Sequence, residues 1–164
     1  MSQSQPQFQI PQAGAEHAVF QKDVGTWDAQ VEVRMAPGAP PQSSKGVMVG
    51  RLICGGQWLV MEFKNEASGF EGHGLVGWDP AKKKYVSTWV DNMRTSLSQG
   101  EGTWDAATKT MTFWHELKLQ NGNVMRWREV TETRDADTQL FRSFMPTSDG
   151  KEFEMMTTTY TRRR

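Results

Sequence analysis

The stretch GTWDA occurs at residues 25–29 and again at residues 102–106, and a near copy, GWDPA, lies at residues 77–81. The copies that begin at residues 77 and 102 share a longer pattern. In each, Trp-Asp is followed by two small residues, then by one further residue, and then by a lysine, Lys83 or Lys109. An Asp at the first position of a turn accepts hydrogen bonds from the backbone N–H groups that follow it, so both copies are predicted hairpin ends. The first copy runs directly into an alternating segment. One set of letters therefore serves two structural roles, and it is not a repeated catalytic motif.

Residue 27 begins a segment in which apolar side chains recur at every second position. One face carries Trp27, Ala29, Val31, Val33 and Met35, while the intervening positions are polar or charged. A period of two is typical of a half-buried strand, so we expect all five residues on an inner face. The Pro-rich loop at residues 36–44 ends the segment.

Turn signals divide the rest of the chain into hairpins. Gly55-Gly56, Asn121-Gly122 and Asp149-Gly150 each separate two apolar stretches, and about ten strands follow one another with almost no helical pattern. This arrangement predicts an all-β fold, a single up-and-down antiparallel barrel of about ten strands. The segment around Phe20 is predicted to be a short helix or turn that plugs one end.

The first fifteen residues are uncharged and rich in Gln, Ser and Pro. Such a composition buries too little apolar surface to offset the entropy of ordering, so we predict a flexible tail at residues 1–15. Residues 16–164 then form one barrel domain.

Gly25-Thr26-Trp27 resembles the G-x-W signature of the lipocalin and fatty-acid-binding superfamily (the calycins), in which the Trp closes one barrel end. Between residues 16 and 162, the stretches GGQWLVMEFK, GHGLVGWDPAKKKYVSTWVDNM, EGTWDAATKTMTF and DGKEFEMMTTTYTR resemble the bacterial DUF1579 family, a domain family without an assigned biochemical function. The resemblance implies a calycin-like barrel, which we expect Trp27 and Phe20 to close. It supplies no catalytic residues.

Overall charge and cysteine content exclude some classes of function. Lys plus Arg and Asp plus Glu both number 19, so the formal net charge is zero, which argues against a sequence-independent nucleic-acid binder. Cys54 is the single cysteine, so there is no intrachain disulfide. We see no secretory signal and no apolar run of membrane-spanning length, and therefore expect a cytoplasmic protein without membrane insertion.

Large apolar side chains are abundant, with seven Trp, eight Phe and ten Met. Trp and Phe bring large contact areas, and Met fills irregular space, so this mixture suits a pocket wall as well as a core. We predict that the barrel binds a small apolar or amphipathic molecule. Two alternatives stay open, a small-molecule enzyme (isomerase, lyase or hydrolase) and an interaction domain with a filled core. We also allow for a homodimer.

Strand phase selects the residues that could line such a cavity. His115 is the one histidine predicted to point inward, on the face of the seventh strand that also carries Met111, Phe113, Leu117 and Leu119. On the fifth and eighth strands both faces are mixed, so which face points inward stays open. The predicted ligand-binding residues are Trp89, Asp91, Phe113, His115, Trp127, Glu129 and Tyr160.

Each of these residues also has a structural interpretation. His115 could be core packing, and Asp91 could hydrogen-bond the loop at residues 92–95. A buried carboxylate at Glu129 or Glu62 would need a partner, for which Arg142 and Arg126 are the candidates.

Metal and covalent chemistry find little support. The three histidines are scattered without ligand spacing, which predicts no metal site, and the last strand lacks the His that a haem-binding barrel would need. Cys54 has no His or Lys beside it in sequence, so we do not expect a catalytic thiol. We predict no cofactor, and no catalytic residue can be assigned.

Overall fold

Ten alternating segments form ten antiparallel strands that close into one barrel in the computed structural model, which describes residues 9–164. The strands are β1 (Gly25–Val33), β2 (Gln42–Ile53), β3 (Trp58–Asn65), β4 (Phe70–Asp79), β5 (Lys84–Asp91), β6 (Arg94–Asp105), β7 (Thr110–Lys118), β8 (Val124–Thr133), β9 (Thr138–Pro146) and β10 (Glu152–Arg162). Consecutive strands pair along the sheet, and β10 pairs back with β1. The predicted up-and-down barrel is confirmed.

A 3-10 helix at Ala15–Asp23, here called the plug helix, covers one end of the barrel. Its Phe20 is only 1% exposed and packs with Leu59 and Tyr85 in the closed-end core. Trp27 is also buried, and its Nε1 donates a 3.2 Å hydrogen bond to the carbonyl of Asp23. Both residues therefore close this end, as the sequence predicted.

The segment before the plug helix contains no helix or strand between residues 9 and 14. It touches the barrel through Gln57, whose Nε2 donates a 2.7 Å hydrogen bond to the carbonyl of Pro11. Residues 1–8 of the predicted tail lie outside the described residues, so the boundary at residue 15 stays a prediction.

The two later copies of Trp-Asp do form hairpin ends. Oδ1 of Asp79 accepts hydrogen bonds from the backbone N–H of Ala81 (2.9 Å) and Lys82 (3.1 Å). Asp105 does the same for Ala107 at 2.9 Å. The equivalent lysines of the two turns, at positions 83 and 109, both have φ near +50°. The two turns thus share one local geometry, whereas the first copy lies within β1.

Two residues predicted on inner faces lie outside the strands. β1 ends at Val33, and Met35 is 74% exposed in the loop that follows, which ends where β2 begins at Gln42 and so before the predicted residue 44. β7 ends at Lys118, and the N–H of Leu119 turns back to the carbonyl of Asn123 at 2.7 Å. The predictions for Met35 and Leu119 were wrong because the alternation of apolar residues continues past the last paired residue.

Glycines on the inner face lie directly beside large rings of the neighbouring strand. A Cβ atom at Gly72 would lie 2.1 Å from Cζ2 of Trp89, far inside van der Waals contact. Four rings are accommodated in this way: Phe63 by Gly46, Trp89 by Gly72 and Gly74, Phe113 by Gly102, and His115 by Gly100. Glycine in a strand permits such close approach, so these rings can lie along the wall and need not stand across the barrel axis.

Candidate ligand-binding chamber

The strand register places all seven predicted ligand-binding residues on the inner face of the barrel. Trp89 pairs with inward Gly74, and His115 pairs with Trp127, which resolves the faces of β5 and β8. The inner residues are therefore Trp89, Asp91, Phe113, His115, Trp127, Glu129 and Tyr160. Their shared direction does not make them one site, because they lie at different heights along the axis.

Several inward side chains keep accessible surface even though they point toward the axis. An inward side chain does so only when space lies beside it. Tyr160 and Phe141 are among them, and six others are Met48, Met61, Trp89, Trp127, Glu129 and Met156. We call the space that these six residues border the chamber.

Glu129 supplies a carboxylate to the chamber. Its Oε1 accepts a 2.7 Å hydrogen bond from Nε1 of Trp127, and its Oε2 lies 2.9 Å from Nε2 of His115. The Glu129 side chain remains 25% exposed, so part of the carboxylate faces open space. The residue is therefore both held in place and reachable.

His115 forms the wall behind that carboxylate. It is 6% exposed, and its ring stacks on Trp127 with centroids 5.1 Å apart and an interplanar angle of 12°. Neither ring nitrogen makes an aligned hydrogen bond, although Nε2 is close to Glu129. Stacking and proximity to the carboxylate thus position the imidazole.

The predicted pairing of Glu129 with Arg142 or Arg126 is wrong. Both arginines occupy the alternate positions of β9 and β8 and face outward, so neither can reach an inward carboxylate. Glu62 also faces outward, on β3. The outward ion pairs are Arg126 with Glu116 (3.5 Å), Arg142 with Glu132 (3.9 Å) and Arg51 with Glu62 (3.2 Å).

Asp91 points inward but is fully engaged at the open end. Its side chain is 4% exposed; Oδ2 accepts from Nε1 of Trp89 (3.2 Å) and Oδ1 from the N–H of Met93 (3.0 Å). Arg94 lies 3.6 Å away. The structural interpretation, in which Asp91 fastens the following turn, therefore describes its contacts.

Phe113 and Tyr160 extend the inner wall toward the closed end. Phe113 packs in the same core as Phe20 and pairs with Glu129 on β8. Burial raises the pKa of Tyr160, and the nearby carboxylates of Glu129 and Asp23 raise it further. Tyr160 is therefore a neutral hydroxyl beside the chamber at all ordinary pH values.

Ser87 is an inner polar residue that the sequence reasoning missed. A Cβ atom at Gly100 would lie 2.7 Å from Oγ of Ser87 and 2.6 Å from Nδ1 of His115, so the three residues meet at one point of the wall. Both polar atoms are buried and lack a partner. They belong to the wall of the chamber and not to its accessible surface. The sequence did contain a signal for this position: side chains alternate between the two faces of a strand, so Ser87 points to the same face as Trp89 two residues later.

Comparison with known proteins gives the family. The profile described as protein of unknown function (DUF1579) matches residues 12–162. The chain belongs to the DUF1579 family. The crystal structure of Rv2717c from M. tuberculosis is similar to this DUF1579 barrel with a TM-score of 0.66 and 12% identity, and the match covers 94% of this chain and 100% of that chain. This likeness concerns the fold alone.

Other comparisons add no functional information about the DUF1579 chain. A redesigned β-barrel, b11L5F_LGL, matches with a TM-score of 0.40 and 16% identity over 89% of this chain and 96% of that chain, a likeness too weak to carry an argument. No curated protein matches. Within residues 9–164, no three His, Cys, Asp or Glu side chains converge in a way that could hold a metal ion. Over the same residues, no helix combines the length and apolar character needed to cross a bilayer.

A groove of about 890 Å³ crosses the outer face of the DUF1579 barrel over β5–β8. Trp114 lies in this groove and is 54% exposed, and Val86 lines it as well. Ion pairs border it, among them Lys84 with Glu101 at 3.0 Å. The groove therefore joins apolar surface to paired charges, and the sequence reasoning did not single it out.

Proposed function

We propose that this DUF1579 barrel binds a small apolar or amphipathic molecule in the chamber. The observation that carries the proposal is the placement of Trp89 against Gly72 and Gly74. Because the ring lies along the wall, it contributes apolar surface to the chamber without filling it. Met61 lies beside Gly74 as well, because its Cε is 3.1 Å from the position that a Cβ atom of residue 74 would occupy.

The composition of the chamber wall supports this function. Three of its six residues are methionines and two are tryptophans, which offer flexible and rigid apolar surface respectively. Glu129 is the single charged member. Ligand pockets commonly combine a mainly apolar wall with a few polar groups that fix orientation. A filled core fits less well, since all six side chains keep accessible surface.

Titration with a neutral apolar fluorophore, N-phenyl-1-naphthylamine, tests the proposal. We expect saturable binding at micromolar protein. In Gly72→Ala the new methyl group collides with Trp89 and pushes its ring toward the axis, so we expect affinity to fall about tenfold, the effect of roughly 1.4 kcal/mol.

Gly77→Ala is the matched control. Gly77 lies on the same strand but faces outward, and a Cβ atom there would lie 2.3 Å from Cε3 of Trp58. Both variants thus force a Trp ring to move, but only Gly72→Ala moves a ring of the chamber. Absence of saturable binding in the wild type, or equal weakening in the two variants, would overturn the proposal.

Acid–base catalysis on a small molecule is the second candidate function. It is favoured by the 2.9 Å separation of His115 Nε2 and Glu129 Oε2, which places an imidazole and a carboxylate side by side at the chamber wall. In this case the NMR resonances of the His115 ring should change when a probe occupies the chamber. If the ring signals do not respond to the probe, and His115→Gln binds the probe normally, His115 is wall packing only.

A further inference from the structure

The charges that point into the barrel are distributed unevenly. On the strands, the inward-facing acidic and basic side chains are Asp91, Glu129, His115, Arg162 and, at the open rim, Arg94. Asp91 and Arg94 lie 3.6 Å apart and neutralise each other at the rim. At the closed end the plug helix adds Lys22 and Asp23, whose charged groups pair with each other at 2.8 Å. The charges left for a bound molecule inside the barrel are those of Glu129, His115 and Arg162.

Arg162 is occupied at the closed end. Its guanidinium lies 4.0 Å from the centroid of the Trp27 ring and donates hydrogen bonds to three backbone carbonyls, those of Val24, Lys22 (3.0 Å) and Ala136 (3.1 Å). A guanidinium carries five N–H donors, and most are used here. Arg162 therefore fastens the plug helix to β10 and is not available to an anionic group in the chamber.

Glu129, in contrast, keeps capacity to accept hydrogen bonds. A carboxylate offers about four acceptor positions, of which Nε1 of Trp127 fills one and Nε2 of His115 faces a second. The side chain is 25% exposed, which leaves room for a bound molecule at the remaining positions. A group that donates hydrogen bonds would be stabilised there, and a second carboxylate would be repelled.

We infer that the chamber selects amphipathic molecules whose head group donates hydrogen bonds, such as a primary amine or a hydroxyl, and discriminates against carboxylates. The apolar chain or ring of the molecule lies against Trp89 and Met156, while the head reaches Glu129. This inference rests on the proposed function and specifies the ligand class of the same site.

Competition among matched amphiphiles tests the inference. Decylamine, decanol and decanoate share a ten-carbon chain and differ only in the head group. Each would displace bound N-phenyl-1-naphthylamine at pH 7.5, at concentrations where the competitor is monomeric. Charge-assisted hydrogen bonds typically favour a donor by a factor of ten or more. We expect decylamine, and to a smaller extent decanol, to compete at least about tenfold better than decanoate.

Glu129→Gln is the variant that isolates the head-group effect. Glutamine retains size and polarity but removes the negative charge, so the ratio of decylamine to decanoate affinity, with each displacement scaled by the variant's own fluorophore affinity, should fall toward one. Glu132→Gln is the matched control, because Glu132 lies on the same strand, faces outward and pairs with Arg142. Its ratio should equal that of the wild type.

The outcomes separate the two proposals. If the fluorophore does not bind the wild type, the proposed function fails, and the head-group selection that rests on it fails too. If the fluorophore binds but decanoate competes as well as decylamine, or both glutamine variants alter the ratio equally, the chamber binds ligands without the head-group selection inferred here.

Discussion

Nε1 of Trp127 donates a 2.7 Å hydrogen bond to Oε1 of Glu129, two residues further along the same face of β8. The same arrangement occurs on β5, where Trp89 donates to Asp91 at 3.2 Å. The two carboxylates differ in exposure, 25% for Glu129 and 4% for Asp91. The same Trp-to-carboxylate hydrogen bond therefore holds a buried structural carboxylate on β5 and a solvent-accessible carboxylate on β8.

Replacing Asp91 should destabilise the fold more than replacing Glu129. Asp91→Ala removes the acceptor of the part-buried indole N–H of Trp89 and of the N–H of Met93 that holds the following turn, so we expect a loss of about 1–3 kcal/mol. Glu129→Ala should lose less, because water can reach the vacated position. Urea denaturation followed by circular dichroism measures both, and equal losses would contradict this distinction.

Truncating Trp27 should weaken the closed end strongly. The ring is 3% exposed and is covered by the guanidinium of Arg162, so Trp27→Ala should lower the free energy of unfolding by about 3–5 kcal/mol. Trp27→Phe keeps a ring but loses the hydrogen bond to Asp23, and should lose less. A guanidinium denaturation midpoint of Trp27→Ala equal to wild type would disprove the plug assignment.

Alkaline titration should show that both tyrosines of the chain resist ionisation. Burial raises the pKa of Tyr85 and of Tyr160, and the hydroxyl of Tyr85 donates a 2.9 Å hydrogen bond to the carbonyl of Glu16. Above pH 10, the usual tyrosine pKa, the folded state keeps protons that the unfolded state has lost. Folding stability should therefore decline as pH rises beyond about 10.

Absorbance at 295 nm and circular dichroism measure this effect together. We expect the phenolate signal to appear only as the β-sheet signal is lost. A phenolate transition near the usual pKa with unchanged circular dichroism would show that the tyrosines are accessible and would contradict the buried positions.

Enlarging Gly100 should displace His115. A Cβ atom at this position would lie 2.6 Å from Nδ1, so Gly100→Ala must shift the imidazole from its stacked position on Trp127. We expect a loss of about 1–3 kcal/mol from overpacking and a clear change in the His115 ring resonances, because the ring current of Trp127 acts on them. Gly77→Ala, which meets Trp58 on the outer face instead, should leave those resonances in place. Unchanged His115 signals in Gly100→Ala would refute the contact.

Much of the fold could be predicted because β-structure has a simple period. Alternation along β1 and β7 placed Trp27 and His115 on the inner face, and the Asp-headed turns located the hairpins after Asp79 and Asp105. The ends of strands were less predictable. Apolar alternation continued to Met35, but hydrogen bonding between strands ends earlier.

The contacts of the candidate site could not be predicted from period alone. Alternation gives the face of a residue, whereas its partners depend on the register of neighbouring strands, which here pairs His115 with Trp127 and Phe113 with Glu129. Mixed faces arose on β5 and β8 because the inner surface itself carries carboxylates. The contact of Trp89 with Gly72 likewise requires the pairing of β4 with β5.

The pairing of β10 with β1 has a consequence for how the barrel folds. Nine of the ten strand pairings join neighbours in sequence and can form as local hairpins, but the tenth brings Trp27 beside Arg162. Bringing together the ends of the chain between these two residues costs about 4 kcal/mol of conformational entropy, which is offset only when the contacts between β1 and β10 have formed. Local hairpins should therefore assemble first and the seam between β1 and β10 last, as the slow step. Until that seam forms, two unpaired strand edges remain exposed, and a second chain could pair with them in place of the first.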